Sequence, residues 1–377
     1  MQKEKLVPAI RFKGFDEEWK SIYLSQVATV ITGGEPPKHY SKTFNHKNNF
    51  IYPVYSNGYD ENALWGYADT YKVDKPSITF SSIGTLGFPT IRLEPYTPII
   101  RLKVILPILN QVDLQYLKYA LDQSDFMTNA SGIPNMNADQ VKNIIINSTD
   151  INEQQKIGLF FSGLDSLIQF QEQKLKKLQI IKQSLLSKMF ASDNQKMPDI
   201  RFKDFLDAWN HKLVKSLGYI TTGNSNTQES DVNGAYPFFI RSDKPLKSNK
   251  YLYDEEAVIT IGDGNIGKVF HYINGKFDLH QRCYKISNFT DVLGKYFYWY
   301  FSSNFYDRVI RMSAKATVDS VRLEMIADME IYFPSNKNEQ SKISIFLDSL
   351  DSLIHSQKQK LEKLNNIKQA LLEKMFC

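Results

Sequence analysis

The sequence predicts an α+β protein with two β-rich α/β domains separated by an antiparallel coiled coil of two long helices, related by an approximate two-fold axis. Three observations predict this fold class. Apolar residues recur at alternating steps of four and three along residues 152–190. The same segment returns at residues 338–376 with roughly two-thirds of its positions unchanged. Short runs rich in Tyr, Phe, Ile and Val fill the remaining segments.

The first long segment has a coiled-coil seam that is held over roughly five heptads. Its seam residues are Ile157, Phe161, Leu164, Ile168, Gln171, Leu175, Leu178, Lys182, Leu185 and Met189. A helix of this length would extend roughly 55–60 Å. Because it has only one apolar stripe, it needs a partner helix.

The second long segment supplies that partner. Its seam residues are Ile343, Leu347, Leu350, Ile354, Gln357, Leu361, Leu364, Lys368, Leu371 and Met375. The polar interruptions Gln171 and Lys182 recur as Gln357 and Lys368, and a polar seam residue commonly fixes register. The alternative is two independent amphipathic helices, each lying on its own core.

The repeat is longer than the helices. Ile10-Arg11-Phe12, with Trp19 following, returns as Ile200-Arg201-Phe202, with Trp209 following. The predicted domains are therefore residues 1–150 and 192–336, followed by helices at 151–191 and 337–377.

A short route through the chain runs the second helix back along the first, which makes the pair antiparallel. Met189 and Phe190 lead through a linker into the second Ile-Arg-Phe segment. The equivalent Met375 and Phe376 should then meet the first such segment. The predicted partners are Ile10, Phe12, Phe15 and Trp19.

Short strand signals fill both domains. In the first domain they lie at residues 50–55, 77–80 and 99–106, and in the second at 236–240, 257–261 and 282–286. Turns are predicted at residues 56–58 and at Asn274-Gly275, and helices at 113–122 and 293–303. The loops of the two domains can be aligned: residues 52–57, 82–87 and 131–137 correspond to 236–242, 262–267 and 315–320.

Composition excludes several classes of protein. With 42% hydrophobic and 23% charged residues, the chain is too apolar for disorder. No apolar run suits a signal peptide or a membrane span, and Cys283 and Cys377 form neither a disulfide framework nor a zinc pattern. We therefore expect a soluble cytoplasmic protein. The net charge of +5 is compatible with a polyanionic partner without demonstrating one.

Residues 262–268 fit the spacing of a phosphate-binding loop up to Lys268, but Val269 stands where that loop needs a hydroxyl. The following residues have strand character, whereas a nucleotide loop would open a helix. His280 is better explained as a hydrogen-bonded histidine at a strand end than as a catalytic one, and the six histidines lack metal-ligand spacing. The sequence gives no ground for an enzyme, a metal or a bound cofactor.

The loops carry polar, planar side chains next to glycine-containing turns. Arg pairs with guanine and Asn or Gln with adenine, while Ser, Thr and Lys mostly hold phosphates. In the first domain the candidate DNA-binding residues are Lys38, Tyr55, Ser56, Asn57, Ser81, Ser82, Thr85, Asn135 and Asn137. In the second they are Arg241, Ser242, Asp263, Asn265, Lys268, Gln281, Arg282, Lys315 and Thr317. Each of these residues taken alone is explained equally well by an ordinary turn or surface role and by a DNA contact. The presence of the whole set on two domains favours DNA binding.

Three features occur in both halves of the chain: the Asn-Glu-Gln opening and Lys-Met-Phe ending of the long helices, the Ile-Arg-Phe segments, and the turns at residues 84–87 and 264–267. In these features the chain resembles the specificity (S) subunit of Type I restriction-modification systems. The resemblance covers essentially the whole chain and is most specific in the helices. It implies that each domain is a target recognition domain reading one half of a bipartite site in double-stranded DNA.

The resemblance also implies that the helices set the spacing of the half-sites and dock two modification (methyltransferase) subunits, with restriction subunits joining the complex. S-adenosylmethionine, ATP and Mg would belong to those partners, and this chain would carry no catalysis. One feature departs from a simple DNA-binding protein: each domain has nearly equal numbers of acidic and basic residues. DNA affinity must then rest on local patches and on the partners.

Two other classes of function remain open from the residues alone. A coiled-coil scaffold could carry two β-rich domains that bind proteins or glycans, and specific binding to a selected duplex would discriminate against it. A nucleotide-using enzyme would need ATP hydrolysis that is lost when Lys268 is changed.

Overall fold

The computed structural model describes residues 6–47, 49–58, 63–84, 86–108, 110–124, 135–191, 196–313 and 320–376. The chain forms two compact units. Unit 1 comprises Met1–Glu172 and Gln359–Cys377, and unit 2 comprises Gln173–Lys358. Each long helix therefore contributes one part to each unit. Within the described ranges, we find no helix with both the length and the apolar character of a membrane span.

Over the described residues, unit 1 contains ten strands, two complete α-helices, the first part of a third and the last part of the final long helix. The strands are β1 (Lys20–Tyr23), β2 (Ala28–Thr32), β3 (Tyr40–Ser41), β4 (Tyr52–Tyr55), β5 (Leu64–Ala68), β6 (Ser77–Ser81), β7 (Gly87–Arg92), β8 (Thr97–Pro98), β9 (Lys103–Pro107) and β10 (Ile145–Ser148). The helices are α1 (Leu114–Asp122), α2 (Ala138–Lys142) and α3 (Ile151–Met189). The strands form sheets in the orders β2-β9-β6-β7 and β3-β5-β4-β8, and β1 pairs with β10.

Unit 2 contains the remaining described strands and shorter helices, together with the last part of α3 and the first part of the final long helix. The strands are β11 (Trp209–Leu213), β12 (Tyr219–Thr222), β13 (Tyr236–Phe239), β14 (Leu246–Ser248), β15 (Tyr253–Ile261), β16 (Phe270–Leu279), β17 (Cys283–Ser287) and β18 (Glu330–Pro334). The helices are α4 (Val214–Leu217), α5 (Gly294–Ser313), α6 (Leu323–Ala327) and α7 (Lys337–Met375). Six strands form one sheet in the order β12-β17-β15-β16-β13-β14, while β11 pairs with β18.

The predicted α+β fold with two β-rich domains and the predicted long helices are confirmed, but two local predictions are wrong. Asn274-Gly275 is not a turn: both residues lie inside β16, opposite Glu256 and Glu255 of β15. The continuous antiparallel ladder outweighs the turn preference of this dipeptide, and Gly275 accommodates the strand with a φ of 135°. Residues 99–102 form a turn, so that the strand predicted there begins only at Lys103.

The long helices are antiparallel within each unit, and their polar seam residues have partners. In unit 1, Lys368 Nζ lies 2.6 Å from Asp165 Oδ1. In unit 2, the Lys182 ammonium pairs with the Asp351 carboxylate. These two ion pairs are equivalent in the repeat. An ion pair at a seam penalises any shift of one helix along the other, which is the register role predicted for the lysines.

The predicted contact between the start and the end of the chain is present in unit 1. The Trp19 and Phe376 rings lie 6.0 Å apart edge to face, and the Ile10 N–H donates to the Lys374 carbonyl at 2.9 Å. Phe12 also packs against the cluster that contains Met375 and Phe376. Two details differ from the prediction. The Ile10 side chain is exposed, and the Phe15 ring lies under the Lys156 ammonium, 4.7 Å from it.

The Ile-Arg-Phe segment has a structural role in each unit, because its arginine neutralises a buried glutamate. Arg11 Nε and Nη2 donate to the two oxygens of Glu153 at 2.7 and 2.8 Å, and the Glu153 side chain is fully buried. Arg201 and Glu339 form the same bidentate pair in unit 2, at 2.6 and 2.8 Å. A buried carboxylate is stable only when it is paired in this way. The glutamate of each Asn-Glu-Gln motif therefore anchors the repeated opening segment.

The glutamine of that motif fixes a second element. Gln154 Oε1 accepts from the backbone N–H of Asp113, which precedes α1, at 2.9 Å. Gln340 Oε1 accepts from the backbone N–H of Leu293, which precedes α5, at 2.7 Å. Each long helix thus holds the start of a shorter helix in its own unit. The duplicated motif encodes a duplicated scaffold.

Candidate nucleic-acid interface

Three loops of unit 2 bring two arginines to one aspartate. Arg241 follows β13, Asp263 follows β15, and Arg282 precedes β17. Arg241 Nη1 lies 3.2 Å from Asp263 Oδ2, and Arg282 Nη1 lies 3.4 Å from the same oxygen. The Asp263 side chain is 17% exposed, whereas those of Arg241 and Arg282 are 51% and 62% exposed. The cluster therefore presents a net positive charge to solvent.

Backbone contacts fix the position of this cluster. The Gly262 N–H donates to the Arg282 carbonyl at 2.8 Å, and a Cβ at Gly262 would come within 2.7 Å of that oxygen. The buried His280 accepts the Arg282 N–H at Nδ1, at 3.0 Å. Burial, followed by the positive charge of Arg241, lowers the pKa of His280. The imidazole is therefore neutral at pH 7 and can accept this hydrogen bond.

Other candidate residues of unit 2 surround the cluster. Gln281 Nε2 donates to Asn226 Oδ1 at 2.8 Å, and Lys268 Nζ lies 4.9 Å from the centre of the Tyr306 ring. Asn265 is exposed on the loop between β15 and β16, and the Ser242 hydroxyl donates to the Lys244 carbonyl. An open groove of about 410 Å³ runs past these loops; its lining includes Thr222, Asp263, Gln281, Arg282, Tyr284 and Ser320. Lys315 and Thr317 lie outside the described residues.

The equivalent loops of unit 1 use their polar side chains mainly to hold one another. Asn57 Oδ1 accepts from the Ser82 N–H at 3.0 Å, and Asn57 Nδ2 donates to the Ile100 carbonyl. The Ser82 hydroxyl donates to the Arg101 carbonyl at 2.9 Å. Asn57 and Ser82 therefore position a turn, and any DNA contact by this pair must be shared with that role.

Three further candidates in unit 1 also have internal roles. Ser81 is buried in β6. The buried Tyr55 donates to Glu94 Oε1 at 2.9 Å, and its burial raises the pKa of the phenol to about 12. Asn137 caps α2 by accepting the Gln140 N–H at 2.8 Å. Lys38 and Asn135 are exposed, Ser56 is partly exposed, and Thr85 lies outside the described residues.

Arg101 is a further candidate DNA-binding residue that was not predicted from the sequence. Ile100 and Arg101 have φ values of 50° and 62°, a left-handed conformation that is rare for residues with a side chain and rarest for β-branched ones. Their N–H groups donate to the carbonyls of Gly34 and Gly33, and Arg101 is exposed. Strained backbone of this kind is concentrated at functional sites. No local signal marks this turn, because it depends on hydrogen bonds from distant loops.

The aligned loops of the two units occupy equivalent places, as predicted. The Met136 N–H donates to the Ser82 carbonyl at 2.8 Å, and the Val321 N–H donates to the Gly262 carbonyl at 2.6 Å. Isolated bridges likewise join Ile83 to Asn135 and Asp263 to Ser320. The backbone framework is shared by the two units, while the side chains on it differ.

Curated relatives are similar to part of this chain. The Type I restriction enzyme EcoDI specificity subunit of Escherichia coli is 27% identical over 159 residues, which are 42% of this chain and 35% of that protein. The putative type I specificity subunit S.MpnORF89P of Mycoplasma pneumoniae is 30% identical over 158 residues, or 42% of this chain and 46% of that protein. The matched region thus spans about a third to a half of each relative.

Solved structures share the fold across the whole chain. The crystal structure of a Type I restriction-modification system S subunit from M. genitalium superposes with a TM-score of 0.72 and 15% identity, covering 98% of this chain and 99% of that one. A chain from a structural study of complex assembly and conformational transition in the type I R-M system gives a TM-score of 0.53 at 14% identity, covering 97% and 99%.

The family model of the Type I restriction modification DNA specificity domain matches this chain twice, at residues 16–179 and 207–366. Together the two matches cover most of the sequence, and each includes the loops described above and most of one long helix. The chain therefore belongs to the Type I restriction modification DNA specificity domain family and contains two copies of the domain.

Proposed function

We propose that this chain is the DNA-reading subunit of a Type I restriction-modification complex, in which each unit recognises one half of a bipartite site in double-stranded DNA. The observation that carries the proposal is the shared loop framework with different side chains. Unit 1 places Asn57, Ser82 and Arg101 where unit 2 places its arginine-aspartate cluster. One scaffold with two sets of polar groups is suited to reading two different sequences.

The chain's own part is recognition, while the chemistry belongs to its partners. Modification subunits would bring S-adenosylmethionine, and restriction subunits would bring ATP and Mg. That the long helices also set the distance between the half-sites stays a prediction. If the chain bound proteins or glycans instead, the assembled complex would show no sequence preference on DNA.

A repeated apolar patch on the long helices supports the docking of two identical subunits. In unit 1 the patch consists of Leu159, Phe160 and Leu167, and in unit 2 of Ile345, Phe346 and Leu353; all six side chains are exposed. The two sets are equivalent in the repeat. Apolar side chains that stay exposed at matching positions indicate a protein interface on each unit. We assign one modification subunit to each patch.

Substituting Asp263, Asn265 and Arg282 together is expected to change one half of the methylated sequence and leave the other half intact. The reason is that these residues belong to unit 2 alone, and mismatches in a half-site cost about 1–3 kcal/mol per base pair. The measurement is genome-wide mapping of methylated adenine in the source cell, with deletion of this gene as the reference. Changes in both halves would refute independent reading.

Leu159→Asp is expected to remove one of the two modification subunits, and Ile345→Asp the other. These side chains are 75% and 61% exposed, so the substitutions spare the core of the chain while burying a charge at the interface. The mass of the purified complex should fall by one subunit for each single variant and by two for the double variant. Leu206→Asp, at an 88% exposed side chain outside both patches, is the control. Loss of both subunits from one single variant would contradict the assignment.

A further inference from the structure

We infer that Arg241 and Arg282 of unit 2 read guanine from the major groove, with Asp263 as their positioning residue, so that the half-site of unit 2 contains guanine. The inference rests on the proposed function and names the base that one of its sites selects. It follows from three features of the cluster: the free edges of the guanidinium groups, the acidic residue between them, and the rigidity of the loops.

The free edges have the geometry that guanine requires. Both contacts to Asp263 are made through Nη1 of the arginine. Among the described residues, no hydrogen bond occupies Nε or Nη2 of either guanidinium, which leaves this edge for another acceptor pair. Two parallel N–H groups match O6 and N7 of guanine, which is the most frequent specific contact between a protein and DNA.

The carboxylate favours a base over a phosphate as the ligand. A phosphate bound to Arg241 or Arg282 would approach the Asp263 oxygen that already pairs with both arginines, and two anions at that distance repel. A base edge carries no such charge. Asp263 can also accept a hydrogen bond from N4 of cytosine, so that the cluster offers partners to both members of a G·C pair.

The cluster is held rigidly, which base reading requires. Asp263 is fixed by its bridge to Ser320, and the Arg282 backbone is fixed by Gly262 and His280. A guanidinium that is already oriented loses less conformational entropy on binding. Lys268, whose ammonium lies over an aromatic ring on the neighbouring helix, is better suited to a phosphate, as a compact point charge on a flexible stem.

The test uses the complex purified from the source cell through a tag on the full chain, and a pool of duplexes with randomised positions. The wild-type complex should enrich a bipartite sequence with guanine in one half. Arg241→Gln and Arg282→Gln should each reduce the preference for a guanine in that half by about tenfold to a hundredfold, without changing the other half. Asp263→Asn should weaken the same preference while raising affinity for mixed-sequence DNA, because a negative charge is lost.

The exposed ion pair of Lys215 and Asp328 supplies matched controls. Lys215→Gln and Asp328→Asn make the same changes of charge on the same unit and should leave the guanine preference unaltered. If Arg282→Gln weakens all duplexes equally and lowers the salt dependence by about one counterion, the arginine binds phosphate and the inference fails. An enriched half-site without guanine also overturns it. If the wild-type complex enriches no sequence at all, the proposed function itself fails.

Discussion

Replacing Arg11 by alanine is expected to destabilise unit 1 by about 3–5 kcal/mol, because it leaves the Glu153 carboxylate buried without its counter-ion. Glu153 also accepts from Trp19 Nε1 at 3.2 Å and from the Thr149 hydroxyl. Those neutral donors cannot replace the lost charge. The measurement is the free energy of unfolding from denaturant titration, with tryptophan fluorescence as the signal.

The repeat supplies the matched variant for this prediction. Arg201→Ala should produce a loss of similar size in unit 2, since Arg201 makes the same bidentate contact with the buried Glu339. Lys13→Ala, at an exposed site in the same opening segment as Arg11, should change stability by less than about 0.5 kcal/mol. A loss below about 1 kcal/mol for Arg11→Ala would show that the pair does not anchor the segment.

Replacing Phe376 by alanine is expected to cost about 3–5 kcal/mol, as is usual when a buried aromatic side chain is truncated. The Phe376 ring stacks on Tyr116 with centroids 5.4 Å apart and meets Trp19 and Phe161 at 6.0 and 6.1 Å. Removal of the Phe376 ring would leave a cavity that is lined by these three aromatic side chains. Denaturant unfolding again provides the measurement.

Phe190→Ala is the counterpart in unit 2. Phe190 meets Tyr296 and Tyr300 with centroids 5.7 and 5.3 Å apart, and it is as deeply buried as Phe376. Similar losses for the two variants would show that the closing contact carries the same energy in both copies. Near-wild-type stability of Phe376→Ala would mean that the end of the second long helix is not part of the core of unit 1.

The long helices, their antiparallel pairing within each unit and the contact between the opening and closing segments can be predicted from the sequence alone. These features follow from local periodicity and from repetition. The step of four and three residues along α3 and α7 specifies one apolar stripe, whatever surrounds it. The repeat then requires that a contact made in one copy has a counterpart in the other, as the pairs of Arg11 with Glu153 and Arg201 with Glu339 do.

Which loop side chains are available to a ligand depends on how the folded chain brings its segments together. Asn57 and Arg282 are both polar loop residues in the sequence. The Asn57 amide is hydrogen-bonded to Ser82 and Ile100, whereas the Arg282 side chain is 62% exposed. The strained turn at Ile100 and Arg101, and the strand through Asn274-Gly275, were hidden for the same reason. The turn depends on hydrogen bonds to the distant Gly33 and Gly34, and the strand depends on its ladder with the neighbouring β15. The energy of these hydrogen bonds outweighs the local preference of a few residues and leaves no periodic trace in the sequence.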